Sequence, residues 1–492
     1  MNKAFKAIYA ALFFGVCAAP LIAMPFAASN EQIEKRELAK APQIVEDGAL
    51  NTSFSEEAEA WYNDRLPFRA KLLEASSLIK SEVFKAPTAN VISGSDGWLF
   101  FGGDEGDYIG SDIMSDYQLD CTAVTLSLIE ENVKGKGGKF LFVPMPNKSQ
   151  VYDEYMPANY IKADENNYSK LLDRLNGLGV TTLDMKQIMR DNKSAGIYHK
   201  RDTHWNYLGA LIGYNAIMDG LSHPHKTYDN ASYNVTNDWQ GDLEKLLYPD
   251  NAGYDEQYRF DIEYDEFRFT MPPNAKDTQA SLELFMSDKE QGDTRIRTQK
   301  LKPTGAGSLY MVRDSFGRAL LPFMIDNYDT AFFERRTSPN MTSVAQNGDM
   351  VYEVVERNIK NITLTAPIMP APKRELTDYT GDYAADGNKA FIKEENGYTH
   401  IYGTLDDNFA GDDARVYIQL ACGGEQLTFE AFPIVEKDLL KAEGIEDARY
   451  GFSAYIDTSS LDGGYDIHVI SDKMKSVTLE TLIFANKGDE TQ

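Results

Sequence analysis

The chain has 492 residues, more than a single core organises, so two or three domains are expected. Its 42% hydrophobic and 25% charged content is ordinary for a globular protein and permits sizeable cores. With 49 basic against 76 acidic residues the net charge is −27, which argues against nucleic acid and anionic membrane surfaces as partners.

In chain order, Lys3 and Lys6 precede an uncharged run, AIYAALFFGVCAAPLIAMPFAAS (7–29), that ends in small residues. Residues 1–29 therefore read as a signal peptide cleaved after Ser29, or as an N-terminal anchor long enough to span a bilayer. Either way the protein is expected to be exported, to the periplasm or the cell surface. Cys17 lies deep in the apolar run, which argues against a lipoprotein. Once the signal is removed only Cys121 and Cys422 remain, and two buried thiols are expected rather than one long-range disulfide. No C-x-x-C pair is present for a zinc ribbon.

Residues 30–90 are charged and helical in pattern, most clearly over 55–84. VISGSDGWLF (91–100) reads as strand, turn and apolar run, with Gly94 and Gly97 in the turn. From there strands and helices alternate. A helix is expected near 117–135, a buried parallel strand at KFLFVPMP (139–146), a helix near 165–177, a strand at VTTLDM (180–185) and a helix over 206–221. Residues 222–300 are aromatic and polar and break this rhythm, so they are expected as an insertion beside the sheet. It resumes at SLYMVRDSFGRALLPFM (308–324), a strand passing into a helix, then at DTAFFE (329–334) and DMVYEVVERNI (349–359). The expected fold for 91–365 is an α/β layer with a mostly parallel sheet. The proline-containing run APIMPAPKREL (366–376) reads as a linker. Beyond it, 377–492 holds short alternating segments separated by turn residues, the pattern of a β-sandwich.

Two segments hold residues suited to chemistry. In YHKRDTHWNYLGA (198–210), an extended D-T-H would project Asp202 and His204 from one face. A carboxylate beside an imidazole holds one tautomer and stabilises the imidazolium, which is what a general base needs. Ser315, in LYMVRDSFGRALL, falls where a strand gives way to a helix, a position that exposes a hydroxyl beside backbone N–H groups able to stabilise an oxyanion. Each feature also has a plainer reading: Ser315 as a helix cap, and Asp202 and His204 as a polar loop. A rival reading takes His199, Asp202 and His204 as zinc ligands, against which stand Lys200 and Arg201.

Taken together, VISGSDGWLF (91–100), FVPMPNKSQVYDEYMP (142–157), KRDTHWNYLGA (200–210), DWQGDL (238–243), MVRDSFGRALLPFM (311–324) and VYEVVERNI (351–359) resemble the alginate O-acetyltransferase family, whose SGNH-hydrolase-like domains act on exported polysaccharides. The resemblance spans roughly 91–360, a little over half the chain. It implies a triad in which Ser315 takes an acetyl group as an ester, His204 moves the protons and Asp202 orients His204. It further implies a polysaccharide substrate, and acetyl groups delivered by a membrane-bound O-acyltransferase partner. No motif asks for a metal or another cofactor.

Asn147 and Lys148 follow a strand's C-terminal end, where α/β sites gather, and are expected as substrate or oxyanion contacts. Trp205 is expected to stack on a sugar or fill core, and Arg313 to contact substrate or pair with Asp314. Trp98 is expected in the core. The −27 charge disfavours a polyanion such as alginate, so a neutral polymer is expected. The C-terminal segment is a candidate carbohydrate-binding module on the strength of Tyr398, Tyr402, Phe409 and Tyr417, most of which equally suit a sandwich core. An acetyl esterase with the same triad, and a non-catalytic polysaccharide-binding protein, are the alternatives to acetyl transfer.

Overall fold

The computed structural model describes residues 13–14, 41–46, 49–51, 54–65, 90–228, 231–249, 251–270, 295–376, 380–382, 388–407, 414–471 and 475–484. The signal or anchor segment, apart from residues 13–14, and Phe409 lie outside them. Among the described residues no helix is long and apolar enough to cross a membrane. The chain divides into two units, 1–93 with 242–253, and 94–241 with 254–492. The first holds a ribbon of Val45–Glu46 with Ala49–Leu50, the helix Phe54–Arg65, the strand Val91–Ser93 and the helix Asp242–Leu247. Of the helix expected over 55–84, the part beyond Arg65 lies outside the described residues.

In the second unit the alternating rhythm produces α1 (Asp116–Gly135), β1 (Phe140–Met145), α2 (Asn167–Leu178), α3 (Met185–Asn192), α4 (Tyr207–Gly220), β2 (Phe267–Thr270), β3 (Arg295–Lys300), β4 (Ser308–Arg313), β5 (Thr330–Arg335) and β6 (Asp349–Val355). They form one six-stranded mixed sheet in the order β1-β6-β4-β5-β3-β2. The first four strands are parallel; β3 adds antiparallel to β5, and β2 antiparallel to β3. Every residue of β1 and β6 is buried, as parallel strands covered on both faces require. Both α1 and α2 begin in capping boxes, Ser115 with Gln118 and Asn166 with Ser169. Leu126, Ile129 and Val133 of α1 join Phe142, Tyr310, Val312 and Tyr352 of the sheet in one core.

Four expectations are corrected here. VTTLDM forms no strand, only a bridge of Thr182 to Phe142. The 222–300 segment does not merely lie beside the sheet, because β2 and β3 extend its edge. The helix after β4 opens as a five-residue 3-10 turn, Phe316–Leu320, followed by the short α-helix Leu321–Met324. The 366–376 run is no loose linker: Ala366 and Met369 are buried in the same core as Phe432, Ile434 and Tyr455.

The C-terminal part supplies β7 (Lys373–Arg374), β8 (Thr380–Asp382), β9 (Lys389–Glu395), β10 (Tyr398–Leu405), β11 (Val416–Cys422), β12 (Glu425–Ala431), β13 (Tyr450–Ile456), β14 (Gly463–Ser471) and β15 (Lys475–Phe484). They form a six-stranded sheet, β7-β12-β11-β14-β15-β8, and a three-stranded sheet, β9-β10-β13. Ile401, Phe452 and Ala454 of the smaller sheet pack with Ile418, Leu420, Phe429 and Val469 of the larger. Tyr402 and Tyr417 are buried, and Tyr398 is partly buried against the larger core. Cys121 and Cys422 are free; Cys121 is buried, and burial pushes its thiol up to about 12, whereas Cys422 is only half-buried.

Candidate active site

YHKRDTHW (198–205) is a loop closed at its neck. Tyr198 bridges Trp205 in antiparallel fashion, and the His199 N–H donates to the His204 carbonyl at 3.3 Å. Asn206 then caps α4, its Oδ1 accepting from the Gly209 N–H at 3.0 Å while its Nδ2 donates to the Gly196 carbonyl at 2.6 Å. Within the loop D-T-H is bent rather than extended. The Asp202 Oδ1 accepts from the backbone N–H of His204 at 2.9 Å, an Asx-type turn, and also from His204 Nδ1 at 2.7 Å. That bend turns the imidazole so that Nε2 lies 2.9 Å from Ser315 Oγ.

Ser315 is held by its neighbours. The Asp314 carboxylate accepts from the N–H of Phe316 at 2.8 Å, the N–H of Val355 at 2.8 Å and Asn358 Nδ2 at 3.1 Å, so it stitches the turn after β4 to the end of β6. Trp205 ties the histidine loop to the same turn, its indole N–H donating to the Phe316 carbonyl at 3.0 Å. One glycine of α4 makes room for that indole: a Cβ on Gly213 would lie 2.5 Å from the Trp205 ring. Gly209 lets α4 approach the chain before the loop, since a Cβ there would lie 2.4 Å from the Ile197 carbonyl oxygen.

Charge in the site is buried and compensated. Burial pushes the Asp202 acid upward, but hydrogen bonds from His204 and the positive charge that His204 and His199 carry in acid outweigh it and hold the carboxyl well below the usual range. Its second oxygen accepts the Trp239 indole N–H at 3.0 Å. The Trp239 ring also stacks on His199, centroids 4.8 Å apart and planes within 3°. Burial lowers the His199 pKa to about 4, so this imidazole is neutral at pH 7. With Asp202 ionised, His204 Nδ1 carries the proton and Nε2 accepts from the Ser315 hydroxyl. Both ring nitrogens of His204 are thus engaged, Nδ1 with Asp202 and Nε2 with Ser315.

The other candidates are all buried. The Asn147 N–H donates to Glu356 Oε2 at 3.0 Å, and its Oδ1 accepts from Arg357 Nη1 at 3.3 Å. Lys148 Nζ donates to the carbonyls of His199, Lys200 and Asp202. Arg313 Nη1 donates to the Asp314 backbone carbonyl at 2.9 Å. Trp98 lies in the core, stacked with Tyr152 and Tyr155 at 4.3 and 4.8 Å. Trp239 and Asp314 were not singled out by sequence reasoning. The signals were present, in DWQGDL and in the aspartate beside the serine, but nothing local says which atoms they reach.

Residues 91–291 match the family model described as an SGNH hydrolase-like domain of the acetyltransferase AlgX. Asp202 and His204 fall inside that match and Ser315 beyond it. The probable alginate O-acetylase AlgJ of Pseudomonas aeruginosa is 24% identical over 163 residues, 33% of this chain and 40% of that protein, so the match spans well under half the relative's length. Among solved structures, the O-acetyltransferase domain of Pseudomonas putida AlgJ is 16% identical with a TM-score of 0.37, covering 55% of this chain and 92% of that one. Bacillus cereus PatB1 is 14% identical with a TM-score of 0.44, covering 55% and 96%.

Proposed function

On the premise that the chain carries an SGNH hydrolase-like domain similar to the AlgX and AlgJ acetyltransferases, we propose that it is a serine-dependent O-acetyltransferase acting on hydroxyls of an exported polysaccharide. The observation that carries this reading is one imidazole hydrogen-bonded on both sides, to Asp202 at 2.7 Å and to Ser315 at 2.9 Å. In the first half-reaction the Ser315 hydroxyl gives its proton to His204 Nε2 as Oγ attacks the acetyl carbonyl. The donor's leaving group departs with that proton, and an acetyl-serine ester remains. In the second, Nε2 takes the proton of a sugar hydroxyl, whose oxygen attacks the ester; Ser315 leaves as its oxygen recovers the proton. Asp202 keeps Nδ1 protonated and stabilises the imidazolium present in both steps. Asn147, Lys148, Trp205 and Arg313, enclosed as they are, serve as framework rather than as sugar contacts.

The remaining parts of the reading follow from sequence and similarity. The 1–29 segment exports or anchors the chain, the two C-terminal sheets act as a β-sandwich and carbohydrate-binding module, a neutral polymer is the acceptor, and a membrane-bound O-acyltransferase supplies acetyl groups. Product analysis with an acetyl donor ester and an oligosaccharide acceptor tests the proposal. Wild type should give acetylated oligosaccharide and Ser315→Ala none. Free acetate alone would assign the same triad to an esterase, and full activity in Ser315→Ala would end the proposal.

A further inference from the structure

We infer that Lys148 is a positioning residue for the proposed relay: its ammonium, seated in a cage of three carbonyls from the 198–205 loop, sets the height of Asp202 and His204 against Ser315. The inference rests on the acyl-transfer reading and deepens it.

Lys148 lies three residues beyond the carboxyl end of β1, at the start of the short helix Lys148–Val151, and is 2% exposed. Its Nζ donates to the carbonyls of His199 at 3.1 Å, Lys200 at 3.0 Å and Asp202 at 2.5 Å. An ammonium has three N–H donors, and a single loop supplies an acceptor for each. The rings of Trp98 and Phe100 lie 5.7 and 5.5 Å from the same nitrogen, within range of cation–π attraction. A surface lysine would be solvated; this one spends its hydrogen-bonding capacity inside a loop of the site.

Carbonyls at 199, 200 and 202 that converge on one point repel one another unless a cation sits between them. The loop's conformation therefore depends on a charge brought by another part of the chain. One of the three belongs to Asp202, whose carboxylate orients His204. Ser315 follows β4, and β4 and β1 both flank β6. The two halves of the relay are in this way referred to one sheet, about 10 Å apart across two strand spacings. Trp205 ties the loop to the serine turn from the other side. Removing the ammonium should leave the nucleophile turn intact and let the histidine side drift, and a drift of about 1 Å is enough to lower the rate by about 100-fold.

The test uses the full chain with Lys148→Met, which keeps the stem's bulk without donors, and Lys148→Ala, which leaves space for an added ethylammonium ion. Labelling of Ser315 by a fluorophosphonate probe is followed to saturation, and amide hydrogen exchange is measured in parallel. Lys148→Met should lower the limiting labelling rate by about 100-fold with the half-saturating probe concentration unchanged. Ethylammonium should restore Lys148→Ala and not Lys148→Met. The His199 and His204 amides should exchange about tenfold faster in Lys148→Met, while those of Met311 and Val312 in β4 keep their protection. Wild-type labelling and exchange in Lys148→Met would overturn the inference. So would loss of protection throughout both variants, β4 included, because Lys148 would then be supporting the core as a whole. If wild type is not labelled at Ser315 the acyl-transfer reading fails, while the exchange of His199 and His204 still decides the role of Lys148.

Discussion

Trp239→Phe isolates one hydrogen bond of the proposed relay. The indole N–H donates at 3.0 Å to the Asp202 oxygen that His204 does not use, and phenylalanine keeps an aromatic face for His199 while removing that donor. A hydrogen bond to an ionised group contributes about 1.5–3 kcal/mol. Asp202 would still accept from the His204 ring at 2.7 Å and its N–H at 2.9 Å, so it stays ionised at neutral pH. What is lost is restraint of the carboxylate at the moment the imidazolium forms. If the full value appears in the transition state, the rate falls by about 10- to 100-fold. The assay is the second-order rate of fluorophosphonate labelling at Ser315, confirmed by peptide mapping, with circular dichroism to check the fold. Asp202→Asn marks the upper limit, because it removes the charge and lets the wrong tautomer form, a loss of about 10⁴-fold in a serine–histidine–aspartate relay. A Trp239→Phe rate within about twofold of wild type would refute the reasoning, since the donor would then restrain nothing. A loss equal to that of Asp202→Asn would refute it too, because the indole would then be holding the whole loop.

Gly213→Ala places a methyl 2.5 Å from the buried Trp205 ring, so it should cost about 1–3 kcal/mol of stability and slow Ser315 labelling by loosening the Trp205–Phe316 bond; an unchanged melting temperature would contradict this. Burial lowers both His199 and His400 from the ordinary 6.5 to about 4, so the unfolded chain binds protons first as the medium acidifies. The contribution of these two histidines is complete above pH 6.5 and is lost between there and about 4, by up to about 3 kcal/mol per histidine. Thermal melts across that window should show the loss, and His400→Gln should lessen it. Asp107 behaves oppositely: burial first, then the Glu356 charge, push its acid up to about 8, so it opposes stability as the pH rises from 3.8 toward that value. Asp107→Asn, which keeps the acceptor for Asn167 Nδ2, should melt higher than wild type at pH 8, with a gap that narrows in acid.

The parts of the fold legible in the sequence were those with a one-dimensional cause. FLFVPM, SLYMVR and DMVYEVV are apolar through nearly every position because both faces of a parallel strand are covered, and they became β1, β4 and β6. VTTLDM is richer in β-branched residues than FLFVPM or SLYMVR, yet it pairs with β1 only around Phe142 and its flanks are drawn off by side chains. The Thr181 N–H and hydroxyl both donate to Glu130, and Asp184 caps α3. RIRTQK, which became β3, hides its alternation because Thr298 and Lys300 occupy inward positions beside the single apolar Ile296. The prolines of 366–376 suggested a linker, yet Ala366 and Met369 find partners in Phe432 and Tyr455, more than sixty positions onward, and no local pattern records that. In the site, the residue types of the proposed relay were legible. The donors that steady them were not, since Trp239 reaches Asp202 across 37 positions and Asp314 reaches Val355 across 41.

The proposed relay joins His204 and Ser315 across 111 positions, and that distance has a physical answer in the sheet. Ser315 hangs from β4 by a turn whose carboxylate, Asp314, is fastened to the start of the segment after β6. The histidine loop rests on Lys148 after β1 and grips the serine turn through Trp205. Between them lies β6, every residue buried and Met350, Val351 and Tyr352 paired on both sides, so neither support shifts without deforming a strand held by two neighbours. A close-packed interior resists such shifts because its side chains have no voids to move into. It follows that damage to the relay need not begin at the relay. A cavity opened beneath β6, as in Val354→Ala, should lower stability and loosen the 2.9 Å contact of His204 with Ser315 together, whereas the same truncation in the C-terminal core, as in Val469→Ala, should lower stability and leave Ser315 labelling of the folded protein at its wild-type rate.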